Sequence, residues 1–534
     1  MARVKNKRAV TIDYAPSALP VAERADDDRL TRRRLVILVA IVLVAIAARV
    51  YQINEYTLWL DEIWTIETAT GRGSPHTQMP QNVIIEHPAT FAALDEGAQP
   101  WWRIWTGMRE VTHPPLYMIL LRGWMELFGT GEIAVRSLSA VASIASVILI
   151  FDVVRLLRGA DAALWAATIM AIAGTQIQFA QEGRPYAVMA ALALAATAAL
   201  VRIERHGATR WRLVAFGASI LALMLIHYFA AATIAALVAH GALRTKGSDR
   251  RRLIATVALA AGVFALSWGP FIWMNRGSFT DVNAEFLRDA AHGHFPRTCW
   301  RLAEIPARLL SEYLNVGVAG TLAALGICVA AAWRARRFDD LLLWTAWLVA
   351  TVGLVFLLDL TRVTQHLLFL RYTYLASPAM CAMVATLMWD ARGWLRHVLP
   401  ALVLAGSLLV FPDAAATFFR ANWRDVAREL RGRLRPGDVL IFAGDASPYA
   451  SNAYLCVSYY IPPEERPAIA LLTRRADPAM IDRLKGAPGV VLVTDIYLPE
   501  KQAEILGPSE HRVIASAPGI GDIMRITWPA EVPR

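Results

Sequence analysis

Two adjacent carboxylates, in Trp59-Leu60-Asp61-Glu62, stand shortly after the first apolar run of this chain. An acid pair beside a membrane is costly unless it is solvated, paired or used. Two readings are open. The pair marks a helix N-terminus, where Asp and Glu complement the helix dipole, or one carboxylate serves as a base. Farther along come His113-Pro114-Pro115-Leu116-Tyr117, Arg136, Gln181-Glu182-Gly183-Arg184-Pro185-Tyr186 and, much later, Arg371-Tyr372. The prolines suit a helix start, which leaves His113 either a solvated cap or a ligand. Arg136, Arg184 and Arg371 fall at the outer ends of apolar runs, against the usual concentration of basic residues inside. A single arginine there could snorkel to lipid headgroups. Together with His113, the three could surround one anionic group. A guanidinium stays charged and donates in pairs, which suits phosphate. A phosphate leaving group needs cationic stabilisation more than a general acid, and an attacking hydroxyl needs a base. Carboxylates and phosphate binders on one face therefore fit group transfer from a phosphate-linked lipid. One carboxylate suffices there, where a glycosidase uses two.

The elements that must position these residues follow from composition. The chain has 534 residues, 56% hydrophobic and 18% charged, with a mean hydropathy of +0.40. Soluble domains are roughly 45–50% apolar and about 25% charged, so disorder, collagen and a soluble coiled coil are excluded. Four cysteines exclude a disulfide scaffold. The net charge of +10 belongs to cytoplasmic loops rather than to nucleic acid. Residues 1–34 read as a polar cytoplasmic tail ending in Arg32-Arg33-Arg34. The apolar run 35–50 lacks a small-residue cleavage site and reads as an uncleaved first span rather than a signal peptide. Basic clusters at Arg155/Arg158, Arg202–Arg212, Arg244–Arg252, Arg334–Arg337 and Arg392/Arg396 mark the inside. They distribute the apolar runs into eleven spans: 35–50, 133–154, 162–180, 185–203, a short helical hairpin over 213–243 turning near His227-Tyr228, 253–273, 313–333, 341–359, 372–389 and 398–411.

Residues 116–128 carry Arg122 and Glu126 on one helix face and read as an amphipathic helix lying in the interface. Trp101, Trp102 and Trp105 just before it fit an aromatic belt. The division is a transmembrane domain over 35–411, with 51–132 its first periplasmic loop, and a small α/β domain over 412–534 outside the membrane. In that domain a helix runs from Asn422 to Leu434, and strands are expected at 439–443, 468–472, 490–494 and 524–528. It has no Gly-rich loop joining strand to helix.

The order Trp-Leu-Asp-Glu, His-Pro-Pro-Leu-Tyr, Phe128-Gly129 with Arg136-Ser137-Leu138-Ser139, and Gln-Glu-Gly-Arg-Pro-Tyr resembles membrane glycosyltransferases of the GT-C type. The likeness is to bacterial family 39-like enzymes, relatives of protein O-mannosyltransferases and lipid A aminoarabinose transferases. It is specific over 59–186 and diffuse beyond, although His227-Tyr228 and Arg371-Tyr372 also look like recurring features. The resemblance implies a mostly α, polytopic GT-C fold of about eleven helices in the bacterial cytoplasmic membrane, with the N-terminus cytoplasmic. It further implies a polyprenyl-phosphate sugar donor and an inverting displacement at the periplasmic face. The acceptor would be a hydroxyl of an envelope glycolipid, polysaccharide or protein. Asp61 matches the family's acidic position after the first span and is the first choice as base, with Glu62 second. His113 stands where the aminoarabinose transferases carry a phosphate-contacting lysine; as histidine it titrates near neutrality. Arg184 and Arg371 are the leading phosphate ligands, with Arg136 behind them; Tyr117, Tyr186, His227, Tyr228 and Tyr372 would line the substrate.

The resemblance implies no certain cofactor and leaves a divalent cation open. His292, His294 and Cys299 cluster loosely, without a zinc spacing. Cys299 and Cys456 both face an oxidising compartment, consistent with a disulfide or two thiols. A transporter or flippase of lipid-linked sugars is the rival reading: it would share the cationic site and need no base. Such proteins show ionisable residues or broken helices near the midplane, and ionisable residues are scarce in these runs.

Overall fold

The computed structural model describes residues 30–95, 97–108, 113–276, 294–310, 317–391, 422–443, 449–472, 478–493, 506, 509–517 and 521–528. Most of it is helical. Three helices are long and apolar enough to cross a membrane: Glu132–Arg158, Tyr186–His206 and Asp339–Arg362. Ala160–Ile172 and Gly174–Ala180, bent by 58°, make a fourth candidate if taken as one span. By length and composition the count is thus three to four rather than eleven, for local reasons. The expected span 162–180 breaks at Ala173. The hairpin over 213–243 is formed by Arg210–Ile226 and Ala230–Arg244, of 17 and 15 residues, against the roughly 20 that a bilayer core asks for. The run from 372 passes through 3-10 turns and becomes α-helical only over Ser377–Trp389. The run 253–273 turns at Trp268 between Gly247–Ser267 and Gly269–Met274. The first helix, Arg32–Val50, carries three arginines in its first turn. The expected span 398–411 lies outside the described residues.

The break at Ala173 frees backbone carbonyls inside an apolar bundle, where each needs a partner. Arg49, fully buried, supplies them. Its Nη1 donates to Ala171 O at 2.6 Å, its Nη2 to Met170 O at 3.1 Å and its Nε to Ser143 Oγ at 2.9 Å. Gly159, at φ +90°, lets Glu132–Arg158 turn at once into Ala160–Ile172; residues with a Cβ resist that conformation.

The expected amphipathic helix has the bounds Leu116–Phe128, from Pro115 to a glycine at φ +88°. It buries Tyr117, Met118, Leu121 and Met125, while Leu120, Leu127 and Phe128 stay exposed. Arg122 Nε donates to Glu126 Oε1 at 2.6 Å, and Arg122 Nη1 reaches Ala69 O and Thr70 O at 3.4 Å. This helix thereby caps the end of the helix that carries Asp61.

The C-terminal α/β domain is built on a six-stranded sheet in the order β1-β3-β2-β4-β6-β5. The strands are β1 Ile84–Ile85, β2 Val439–Ala443, β3 Ala468–Leu472, β4 Val490–Val493, β5 Glu510–Ala517 and β6 Gly521–Thr527. β2 pairs in parallel with both β3 and β4 and is buried along its whole length, as a strand covered on both faces should be. Four strands lie where the sequence pattern puts them. Two do not show in it. β5 is half exposed and carries a register shift between Val513 and Ala515. β1 is only two residues long and comes from the long loop between the first helix and Leu116–Phe128, pairing antiparallel to β3 with Ile84 opposite Ala470. The helix Trp423–Arg433 begins with an Asn422 side-chain cap on the Asp425 N–H.

Candidate active site

The helix Leu60–Ala69 carries both acids, and its geometry divides them. Glu62 accepts the Trp59 N–H at 3.1 Å, closing the first turn, and its side chain is fully buried. It also accepts the Gly183 N–H at 2.7 Å. A side chain at Gly183 would sit 2.6 Å from Val135 Cγ1, so only glycine allows that approach. Arg136 completes the clasp. Its Nε and Nη2 grip Glu62 at 2.8 and 2.7 Å, its Nη1 donates to Ile53 O and Tyr56 O at 2.8 and 2.7 Å, and its other Nη2 bond goes to Thr57 O at 2.9 Å. A guanidinium has five N–H groups, and all are engaged. Removing one partner of a buried pair leaves the other charge uncompensated, a loss of about 3–5 kcal/mol. Arg136→Ala is expected to destabilise the protein by that amount in thermal unfolding in detergent. Arg136→Lys should recover little of it, because an ammonium cannot reach the same set of acceptors.

Asp61 has another environment. Its side chain keeps 24% exposure, and its Oδ2 lies 3.0 Å from Arg371 Nη1 and 3.7 Å from Arg184 Nη2. Among the described residues Oδ1 accepts no hydrogen bond. Arg184 Nη1 is fixed on the same helix by Asp61 O at 3.0 Å and Thr65 Oγ1 at 2.5 Å. Burial works against the Arg184 charge, but the Asp61 carboxylate offsets it and holds the guanidinium above its ordinary range. Arg371 lies among Trp59, Phe369 and Tyr372, its guanidinium carbon 5.9, 5.2 and 5.2 Å from their ring centres. It is likewise held upward, with burial opposed by Tyr186 and Asp61. Two permanent cations thus share one carboxylate.

His113 and His227 stand edge to face, ring centres 5.1 Å apart, with Tyr186 6.0 Å from His227. Burial first, then His227, Arg184 and Arg371, pushes His113 well below the usual imidazole range. His113 is therefore neutral at pH 7, which corrects the expectation of titration near neutrality. His227 Nδ1 accepts the Phe229 N–H at 3.2 Å, which puts the proton of a neutral ring on Nε2. That Nε2 is buried without a hydrogen-bond partner among the described residues, and so are Nε of Arg184 and Nε of Arg371. All three are donors. Buried donors left unmet are costly, and a group of them complements an anion.

The remaining expected residues have different attachments. Tyr117 Oη is 3.2 Å from Ser139 Oγ, which donates to Arg184 O at 3.1 Å. Tyr228 Oη accepts the Trp268 indole N–H at 2.8 Å. Tyr186 packs on Phe179 and Tyr374. Tyr372 faces Phe229 and His366. His294 and Cys299 share the helix His294–Arg308, and His294 Nε2 is 2.9 Å from Asp359 O. His292 lies outside the described residues. Among the described residues no group of three or more His, Cys, Asp or Glu could hold a metal. Cys299 and Cys456 are free thiols.

Two contributors escaped the sequence reading. Thr65 holds Arg184 and lies four residues after Asp61, hence on the same helix face; that spacing was the available signal. Asp359 gathers the turn leading to Arg371, accepting from Thr364 Oγ1, His366 N and Leu367 N at 2.8 Å each. Nothing in its sequence neighbourhood marks it.

Residues 112–269 match the family described as dolichyl-phosphate-mannose-protein mannosyltransferase. The match includes His113, Arg184 and His227 but neither Asp61 nor Arg371. No curated protein matches. Among solved structures, the chain is similar to ArnT from Cupriavidus metallidurans in the apo state, with TM-score 0.56 and 15% identity over 92% of this chain and 97% of that one. It is also similar to the same protein bound to undecaprenyl phosphate, with TM-score 0.52 and 14% identity over 94% and 99%. The chain shares the fold of these ArnT structures. With its long apolar helices it is accordingly a multi-pass membrane protein.

Proposed function

We propose that this chain is an inverting glycosyltransferase that moves a sugar from a polyprenyl-phosphate donor to a hydroxyl acceptor at the periplasmic face of the cytoplasmic membrane. The observation that carries the reading is the contrast between its arginines. Arg136 has every N–H engaged by Glu62 and backbone carbonyls, whereas Arg184 and Arg371 converge on Asp61 with an unpartnered Nε each, beside the unpartnered Nε2 of His227. Arg184, Arg371 and His227 would receive the donor phosphate, with neutral His113 beside them. Asp61 would take the proton of the acceptor hydroxyl as its oxygen attacks the anomeric carbon and the sugar–phosphate bond breaks. Glu62 and Arg136 hold the scaffold rather than react. An incoming phosphate competes with Asp61 for the two cations, so the carboxylate is released from them as the donor seats. The bound lipid named for the ArnT structure, undecaprenyl phosphate, makes a polyprenyl carrier the natural donor.

The same reading completes the membrane architecture. The shorter apolar helices join the long ones in a bundle of about eleven crossings, with the N-terminus cytoplasmic. Leu116–Phe128, apolar on its buried side and at Leu120, Leu127 and Phe128, lies in the interface. The division into a tail at 1–34, a membrane domain at 35–411 and a periplasmic domain at 412–534 belongs to this proposal.

The test is product formation by purified protein in nanodiscs, given a polyprenyl-phosphate sugar and an envelope lipid extract. Free polyprenyl phosphate and a glycosylated acceptor, identified by mass spectrometry, are expected. A flippase moves the donor across the bilayer and releases neither. Intact donor at the end of the assay would therefore refute the enzyme.

A further inference from the structure

The helix Tyr449–Tyr460 of the C-terminal domain lies along the Asp61 helix and is tied to it at both ends. At the N-terminal end, the Leu58 N–H donates to Tyr460 Oη at 2.8 Å, and Tyr460 Oη donates to Glu132 Oε1 at 2.5 Å. At the C-terminal end, Glu67 accepts the His76 N–H at 3.0 Å and lies 2.5 Å from His76 Nδ1. His76 Nε2 is 3.0 Å from Asn452 Oδ1. Glu67 and His76 are both fully buried, and Trp64 packs its ring against the imidazole edge at 5.2 Å. The order is antiparallel: 460 meets 58, and 452 meets the partner of 67. Eight residues of helix between Asn452 and Tyr460 span about 12 Å, nearly the length of the Asp61 helix itself. Between the two ties Cys456 is fully buried. Burial, then the charges of Asp61 and Glu67, keep its thiol well above the usual range, a sign of how closely one helix backs the other.

These ties have a geometric consequence. Asp61 stands on the first turn of a ten-residue helix whose free face meets Arg184 and Arg371. A helix that short holds its place by external contacts rather than by its own hydrogen bonds. Both rear ties end on one element of the C-terminal domain: Tyr460 meets the Leu58 N–H directly, and Asn452 meets His76, the partner of Glu67. Among the described residues the buried His76 ring has no hydrogen-bond partner other than Glu67 and Asn452. A slip of the helix by a fraction of a turn would carry the Asp61 carboxylate off Arg371, which stands on a separate segment.

We propose that Asn452 and Tyr460 are positioning residues for the reaction: the C-terminal domain sets the place of the Asp61 carboxylate through the His76–Glu67 relay and the Leu58 N–H. This rests on the assignment of Asp61 as base. It makes the C-terminal domain part of the catalytic unit.

The test uses full-length protein in nanodiscs, with Tyr460→Phe, which removes one hydroxyl, and Asn452→Leu, which removes the amide at similar volume. Each is expected to lower kcat by roughly 10- to 100-fold, the cost of a small misplacement of a reacting group. The donor KM should stay within about threefold, because Arg184 and Arg371 are both retained. Asn452→Asp keeps an acceptor for His76 Nε2 and should restore most of the rate. If both variants turn over like wild type once corrected for folded fraction, even with a lowered Tm, the ties are structural only and the proposal falls. A donor KM that rises while kcat holds overturns it equally. Wild-type protein inactive with the polyprenyl-phosphate sugar defeats the functional reading itself, an outcome distinct from active wild type matched by its variants.

Discussion

Asp61→Asn is expected to lower turnover by about 10²–10⁴-fold, the range supplied by a positioned general base, while the protein inserts and folds as before. The amide keeps the size of the carboxylate but cannot take the hydroxyl proton. The substitution leaves intact the bonds that fix the helix: Glu62 to Arg136, and Arg184 Nη1 to the Asp61 main-chain carbonyl and Thr65. It also removes an anion that competes with phosphate for Arg184 and Arg371. Binding of free polyprenyl phosphate should therefore hold or tighten as transfer collapses. Initial rates with purified donor and a parallel lipid-binding measurement check both halves. Full turnover by the variant would remove Asp61 from the mechanism. Weakened phosphate binding together with lost transfer would instead make Asp61 an organiser of the arginines.

Arg371→Ala is expected to cost about 10²–10³-fold in kcat, comparable with deleting one donor from a preorganised anion site. The guanidinium is held in place by the Trp59, Phe369 and Tyr372 rings. In the proposed mechanism it would stabilise charge that develops on the leaving phosphate, so its loss should bear on the transition state more than on the neutral sugar. Arg371→Lys should recover only part, because an ammonium keeps the charge but not the planar fork. Arg184 is tied to the helix through Thr65 and Asp61 O, so its replacement would combine lost charge with a displaced base. Arg371→Ala is the cleaner probe. Steady-state kinetics with varied donor separate the two effects. An unchanged kcat would exclude Arg371 from phosphate stabilisation.

Several parts of this fold were legible from residue patterns because local rules decide them. Leu116–Phe128 has a proline start, a glycine stop and an i, i+4 pair, and its bounds follow. The strands Val439–Ala443 and Ala468–Leu472 are short apolar runs between turn signals. The long helices Glu132–Arg158 and Tyr186–His206 are continuous and apolar. The pattern failed where a distant side chain replaces what local backbone bonding would supply. The break at Ala173 depends on Arg49, more than a hundred residues away. The two-residue strand Ile84–Ile85 exists because the edge of β3 is there to receive it.

The chemistry divides in the same way. Residue type and order determined that this chain carries carboxylates and arginines suited to a phosphate-linked donor, since charge, donor count and apolar length are properties of the residues themselves. Which arginine has donors to give, and which acid faces them, was decided only by the folded arrangement. Asp61 and Glu62 are neighbours in the chain but lie about 100° apart around a helix. One points to Arg371 and the other to Arg136, and no spacing in one dimension records which partner each will meet.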